Sequence, residues 1–190
     1  MFGDEELRLP READLLRQHS ASAEDIAALE VEEDVPELQR LHLLLERGQP
    51  LQRRSVLESL PRAVSEHGGP ACDSLLELIG SQLVAEPSVL DESCQEAAAH
   101  SLGELCTRLD PPMLELRVLP LMLTALEQDS AEPSDVTCAW VGALLALLES
   151  GQLPADALRW TVVPFALAQG DAARPVVGRM VCCYMLGCGC

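Results

Sequence analysis

Four leucines stand 42 residues apart: Leu60, Leu102, Leu144 and Leu186. Four positions before each stands another apolar residue, namely Val56, Ala98, Trp140 and Cys182. An i, i+4 apolar pair marks one face of a helix. The same face therefore returns every 42 residues. A unit of this size cannot bury its apolar face alone and needs a neighbour on each side.

Each of these helices follows another helical stretch and a break. "PELQRLHLLLERG" leads to "PLQRRSVLESLPRAVSEHGG", and "PACDSLLELIGSQLVAE" leads to "SVLDESCQEAAAHSLGELCTRLD". "PPMLELRVLPLMLTALEQD" precedes "SDVTCAWVGALLALLESG", and "PADALRWTVVPFALAQGD" precedes "ARPVVGRMVCCYMLGCGC". Gly48, Gly151 and Gly170 fall where a helix end favours a residue tolerant of positive φ. Pro70, Pro112 and Pro154 fall near helix starts, where a missing N–H costs nothing. Ser88 with Asp91, and Ser22 with Asp25, have capping-box spacing. Pro120 and Pro164 lie inside first helices and predict bends there. Asp129 and Asp171 close those two stretches. In "QEAAAHSLGELC" the small residues predict close helix approach.

A period near 40–47 residues with two helices per unit resembles the HEAT class. The predicted fold is all-α, an α-solenoid of about four stacked HEAT-like helical hairpins. They are expected at about 35–67, 70–109, 112–150 and 154–190, within a solenoid spanning 23–190. Residues 1–22 read as a flexible acidic lead-in with weak periodicity. The acidic run Glu30–Asp34 reads as solvated surface. Composition agrees: the chain is 48% hydrophobic but only 3% aromatic, with Leu and Ala, both strong helix formers, dominant.

The formal net charge is −18, and all 13 basic residues are Arg. That balance argues against nucleic acid and anionic membrane as partners. The longest uncharged apolar run, Val136–Leu148, is 13 residues, short of the ~20 a spanning helix needs. It reads as a buried helix. The start "MFGDEELRLP" is acidic, unlike a secretory signal. The cysteines lack a disulfide framework and read as reduced thiols in the cytosol or nucleus.

The sequence shows no P-loop, dinucleotide-binding glycine pattern, HExxH or GxSxG. No catalytic residue, cofactor site or metal site is assigned, and no partner-binding residue can be named. His19, His42, His67 and His100 are scattered and read as satisfied or exposed side chains. Trp140 and Trp160 read as packing anchors between hairpins. Asp91 with Glu92, and Glu32 with Glu33, have neither base nor pocket beside them. Cys72, Cys94, Cys106 and Cys138 read as small hydrophobes within helical stretches.

The tail "RMVCCYMLGCGC" concentrates Cys182, Cys183, Cys188 and Cys190. It invites a metal or redox reading, but the repeat places Cys182 in the core position of Val56, Ala98 and Trp140. On a helix Cys188 and Cys190 point about 200° apart and cannot share an ion. The stretch reads as a second helix cut off before its covering neighbour.

From Ser22 to Val64 the sequence resembles the amino-terminal portion of the serine/threonine-protein phosphatase 4 regulatory subunit 4 family. "EDIAALEVEED", "LLLERGQPLQRRSV" and "LESLP" carry the likeness, and a weaker one continues to "RMVCCYMLG". The resemblance implies a HEAT-repeat, non-catalytic regulatory or scaffolding subunit in the cytoplasm. Its implied partner is the phosphatase 4 catalytic subunit, which would supply the metals and the hydrolytic chemistry. The alternative is a general acidic HEAT-repeat adaptor for trafficking or transport that holds basic segments.

Overall fold

The computed structural model describes residues 35–85, 88–128 and 134–171. From Pro36 onward these belong to one compact unit, and all their regular structure is helical. The helices are α1 (Glu37–Arg47), α2 (Pro50–His67), α3 (Asp73–Val84), α4 (Glu92–Leu105), α5 (111–128), α6 (Asp135–Glu149) and α7 (155–171). A 3₁₀ turn, Pro70–Cys72, leads into α3.

Side chains start several of these helices. Asp91 Oδ1 accepts from the Cys94 N–H at 2.8 Å, Asp110 Oδ1 from the Met113 N–H at 3.2 Å, and Ser134 Oγ from the Thr137 N–H at 3.0 Å. Each satisfies an amide that has no partner within its helix. Asp91 is thus the cap itself, not the third residue of a box opened by Ser88. The Ser88 hydroxyl lies 3.2 Å from the Leu90 carbonyl and 3.4 Å from that of Gln82, and donates to them. Ser22 and Asp25 lie outside the described residues.

Helix ends correct the glycine expectation in part. Gly151 has φ +65° and Gly68 has φ +84°, the left-handed region glycine favours. Gly48 has φ −66°. Its reason is steric: a Cβ there would collide with the Leu44 carbonyl oxygen, which accepts the Gly48 N–H. Gly170 lies inside the last helix and does not cap it.

The packing order is regular. α2 lies on α4 and α4 on α6, while α1 lies on α3 and α3 on α5. α1 pairs with α2, and α5 with α6. First helices thus form one row and second helices another. Val56, Leu60, Ala98, Leu102, Trp140 and Leu144 are all buried, within a single apolar cluster that runs from Leu41 to Ala166. The recurring stripe is therefore the inner face of the second row. Cys182 and Leu186 lie outside the described residues. In α4, Ala97, Ala98 and Ala99 are buried. A Cβ added at Gly103 would stand 3.5 Å from the Ala143 Cα, so α4 and α6 approach almost backbone to backbone.

Polar clamps tie the rows at helix ends. The Gln82 amide donates to the Leu45 carbonyl at 2.8 Å, and Arg53 Nε donates to the same oxygen at 3.1 Å. Both satisfy the carboxyl end of α1. Arg117 forks onto Asp73, Nε to Oδ1 at 2.6 Å and Nη2 to Oδ2 at 2.7 Å, which joins α5 to the first turn of α3.

The two internal prolines are accommodated in one way. Leu114–Val118 and Leu158–Val162 are π turns, each ending two residues before Pro120 or Pro164. The Leu119 N–H bonds back to Leu114, and the Val163 N–H to Leu158, five residues instead of four. A proline ring clashes with the carbonyl four residues earlier and leaves it without a donor. A widened turn just upstream repositions those carbonyls. The expected disturbance is thus a local change of helix type. Asp171 is the last residue of α7, and Asp129 lies outside the described residues.

Candidate partner surface

The structure separates the two tryptophans. Trp140 is fully buried in α6, as an anchor should be, and its indole N–H finds no partner among the described residues. Trp160 is 68% exposed on α7, with the Arg159 guanidinium 5.0 Å from its ring centroid. It does not anchor packing within this unit. Leu116 on α5 is likewise 70% exposed.

Leu116 and Trp160 occupy one position. Each lies in a π turn, four residues before its proline. Around them Val118 matches Val162 and Leu121 matches Phe165, all four buried. "LRVLPL" and "WTVVPF" carry this signal in the sequence, since the two prolines bring the segments into register 44 residues apart. Large apolar residues at matched outward positions were the clue to an exposed surface.

Between α3 and α5 lies a groove of about 200 Å³. Leu76 and Leu121 line it from the buried side, and Val84, Leu116 and Pro120 from the exposed side. Gly80 lets the helices close at its base, because a Cβ there would come within 2.9 Å of Leu121 Cδ2. The groove has two charged neighbours. Arg117 is held by Asp73. Glu77 is exposed and has no cation partner among the described residues.

The second row presents a polar face. Arg54 donates to Glu58 at 2.8 Å and to the Ser93 hydroxyl at 2.8 Å. Arg108 donates to the Pro61 carbonyl at 3.1 Å and to Ser65 Oγ at 3.0 Å. The Arg54–Ser93 bond joins α2 to α4, the Arg108 bonds join α2 to the turn after α4, and the Arg54–Glu58 pair lies within α2; such surface pairs contribute little to stability.

Among the described residues, no titratable side chain has the surroundings of a catalytic group. His100 is exposed and His42 half-buried; His19, Glu32 and Glu33 lie outside the described residues. Asp91 is a helix cap, and Glu92 is exposed in the first turn of α4. Cys72, Cys94 and Cys106 are buried. Burial pushes Cys94 and Cys106 up to about 12, with Asp91 adding to the shift at Cys94, and it raises Cys72 as well. Thiols held protonated in this way are poor nucleophiles and poor ligands. Cys138, read as a small hydrophobe within a helical stretch, is exposed on α6: it falls on the outer side of the helix, away from Trp140 and Leu144.

Glu37, Glu66 and His67 bring ligand atoms within 4.8 Å of one another. Glu37 already engages His67 at 3.2 Å and Arg62 at 3.3 Å. The Arg62 charge beside the group opposes a second cation. The cluster ties the start of α1 to the end of α2. Among the described residues no helix is long and apolar enough to cross a membrane.

No family model matches the chain, and no solved structure matches it. Curated proteins do. The chain is 27% identical over 186 residues to the human serine/threonine-protein phosphatase 4 regulatory subunit 4, covering 90% of this chain and 19% of that protein. The mouse protein of the same name is 26% identical over 177 residues, again 90% of this chain and 19% of the relative. The chain spans about a fifth of the length of the curated relatives it matches. This likeness supports a distant relationship to those proteins.

Proposed function

We propose that this chain is a non-catalytic regulatory or scaffolding subunit that binds the phosphatase 4 catalytic subunit in the cytoplasm. Its binding element is a stack of HEAT-like hairpins. The observation that carries the reading is the likeness to two phosphatase regulatory subunits along 90% of the chain. The packing order supports it, with first helices on first helices and second on second. Such a stack offers a long surface on which many small contacts add up. The catalytic partner supplies the reaction, and this chain supplies position.

Co-purification tests the proposal. Tagged chain is expressed with the phosphatase 4 catalytic subunit and recovered under mild salt. Enrichment over an unrelated HEAT-repeat control is expected. Recovery equal to that control refutes the reading for this chain.

A further inference from the structure

The groove between α3 and α5 is a surface that the phosphatase reading does not require. We propose that it docks a basic, apolar peptide segment of a partner protein. A bulky apolar side chain of the segment sits on Leu76 and Leu121, between Leu116 and Pro120, and an Arg or Lys beside it pairs with Glu77.

Three observations carry this. The first is exposure: Leu116 is 70% and Val84 54% exposed at the groove, large apolar side chains left in water where a partner gains by covering them. Trp160 shows the same exposure at the matched position of α7. The outward residue is therefore a repeated product of the π turn and its proline. The second is size. About 200 Å³ is below the roughly 300 Å³ at which small-molecule pockets begin. It suits one or two side chains of a helix laid along the groove. The third is charge. Asp73 forks onto Arg117, so that cation is neutralised. Glu77, with no cation partner among the described residues, then leaves the groove with a negative charge. The chain as a whole carries −18, which draws cationic partners and repels a second copy of itself.

The probe is a short fluorescein-labelled amphipathic peptide with Leu and Phe at i and i+4 and Arg between them. Its counterpart carries Glu in place of every Arg. Anisotropy titrations use the full 190-residue chain. The Arg peptide is expected to bind, and the Glu peptide at least about tenfold more weakly. Leu116→Asp and Glu77→Arg should each weaken the Arg peptide by about tenfold or more. Glu149→Arg on α6 makes the same change in net charge and should leave binding within about twofold. Thermal melts of each variant guard against a folding defect, and Glu77→Arg carries the test should Leu116→Asp misfold. Equal weakening by Glu149→Arg would reduce the effect to diffuse attraction and overturn the site. So would absence of binding, equal affinity for the two peptides, or a Leu116-dependent dimer in light scattering. The assay contains no phosphatase, so its failure and the failure of the subunit reading are separate results.

Discussion

Leu102 offers the sharpest test of the packing. It is fully buried in the last turn of α4, the helix that lies on both α2 and α6. Leu102→Ala removes the buried side chain and leaves a cavity. Such changes destabilise by about 2–5 kcal/mol, most where the site cannot collapse. Collapse is blocked here. Ala97, Ala98 and Ala99 are already buried, and Gly103 already brings α4 against the Ala143 backbone. The upper part of the range is expected, about 3–5 kcal/mol. For chains of this size 1 kcal/mol lowers Tm by about 2–4 °C, giving a fall of roughly 6–20 °C in a melt followed by circular dichroism. Leu116→Ala, truncating an exposed leucine, should stay within about 0.5 kcal/mol. If Leu102→Ala melts within about 2 °C of the parent, or no lower than Leu116→Ala, the recurring stripe does not form the core.

Three further outcomes follow from local geometry. Gly103→Ala should be neutral or stabilising by up to about 1 kcal/mol, because its Cβ meets only ordinary contacts and helix propensity improves, whereas Gly103→Leu should lose about 1–3 kcal/mol by prising α4 from α6; urea midpoints separate them. Asp91→Ala removes the cap on the Cys94 amide and should lower the urea-derived stability by about 1 kcal/mol. Brief alkylation of the folded chain near pH 8, mapped by peptide mass spectrometry, should label Cys138 well ahead of Cys72, Cys94 and Cys106. Cys94 and Cys106 are held up to about 12 against an ordinary 9.0. They ionise first in the unfolded chain, so their contribution to stability is intact below about pH 9 and is lost as pH rises towards 12. Denaturant midpoints that rise over that window would contradict the sign.

The sequence declared its second helices more clearly than its surface. The 42-residue return of Leu60, Leu102 and Leu144 picked out buried positions because burial imposes a period that survives in one chain. Cap chemistry was legible as a type and less so in its register. Asp91 was read as the N3 partner in a box opened by Ser88, three positions from its true place at the N-cap, since both Ser88 and Asp91 are good caps and only tertiary bonds decide between them. Gly48 showed that a glycine after a helix can answer to a carbonyl collision instead of to φ. Trp160 was read as a packing anchor and Cys138 as a small hydrophobe, from residue type alone. Their helices place them outward, and that depends on phase. The groove was least legible, because α3 and α5 are distant in sequence and its lining is ordinary Leu, Pro and Gly.

The π turns at Leu114–Val118 and Leu158–Val162 amount to one supernumerary residue in α5 and in α7. α5 and α7 are therefore each a short leading turn joined with an offset to a longer helix, and a single-residue deletion there would restore one continuous α-helical register. The deletion would also change which side chain stands outward at the place of Leu116 or Trp160, since each residue step is about 100° of helix. The extra residue thus sets which side chains of the first row look outward, with no need to alter the second row on which that row rests.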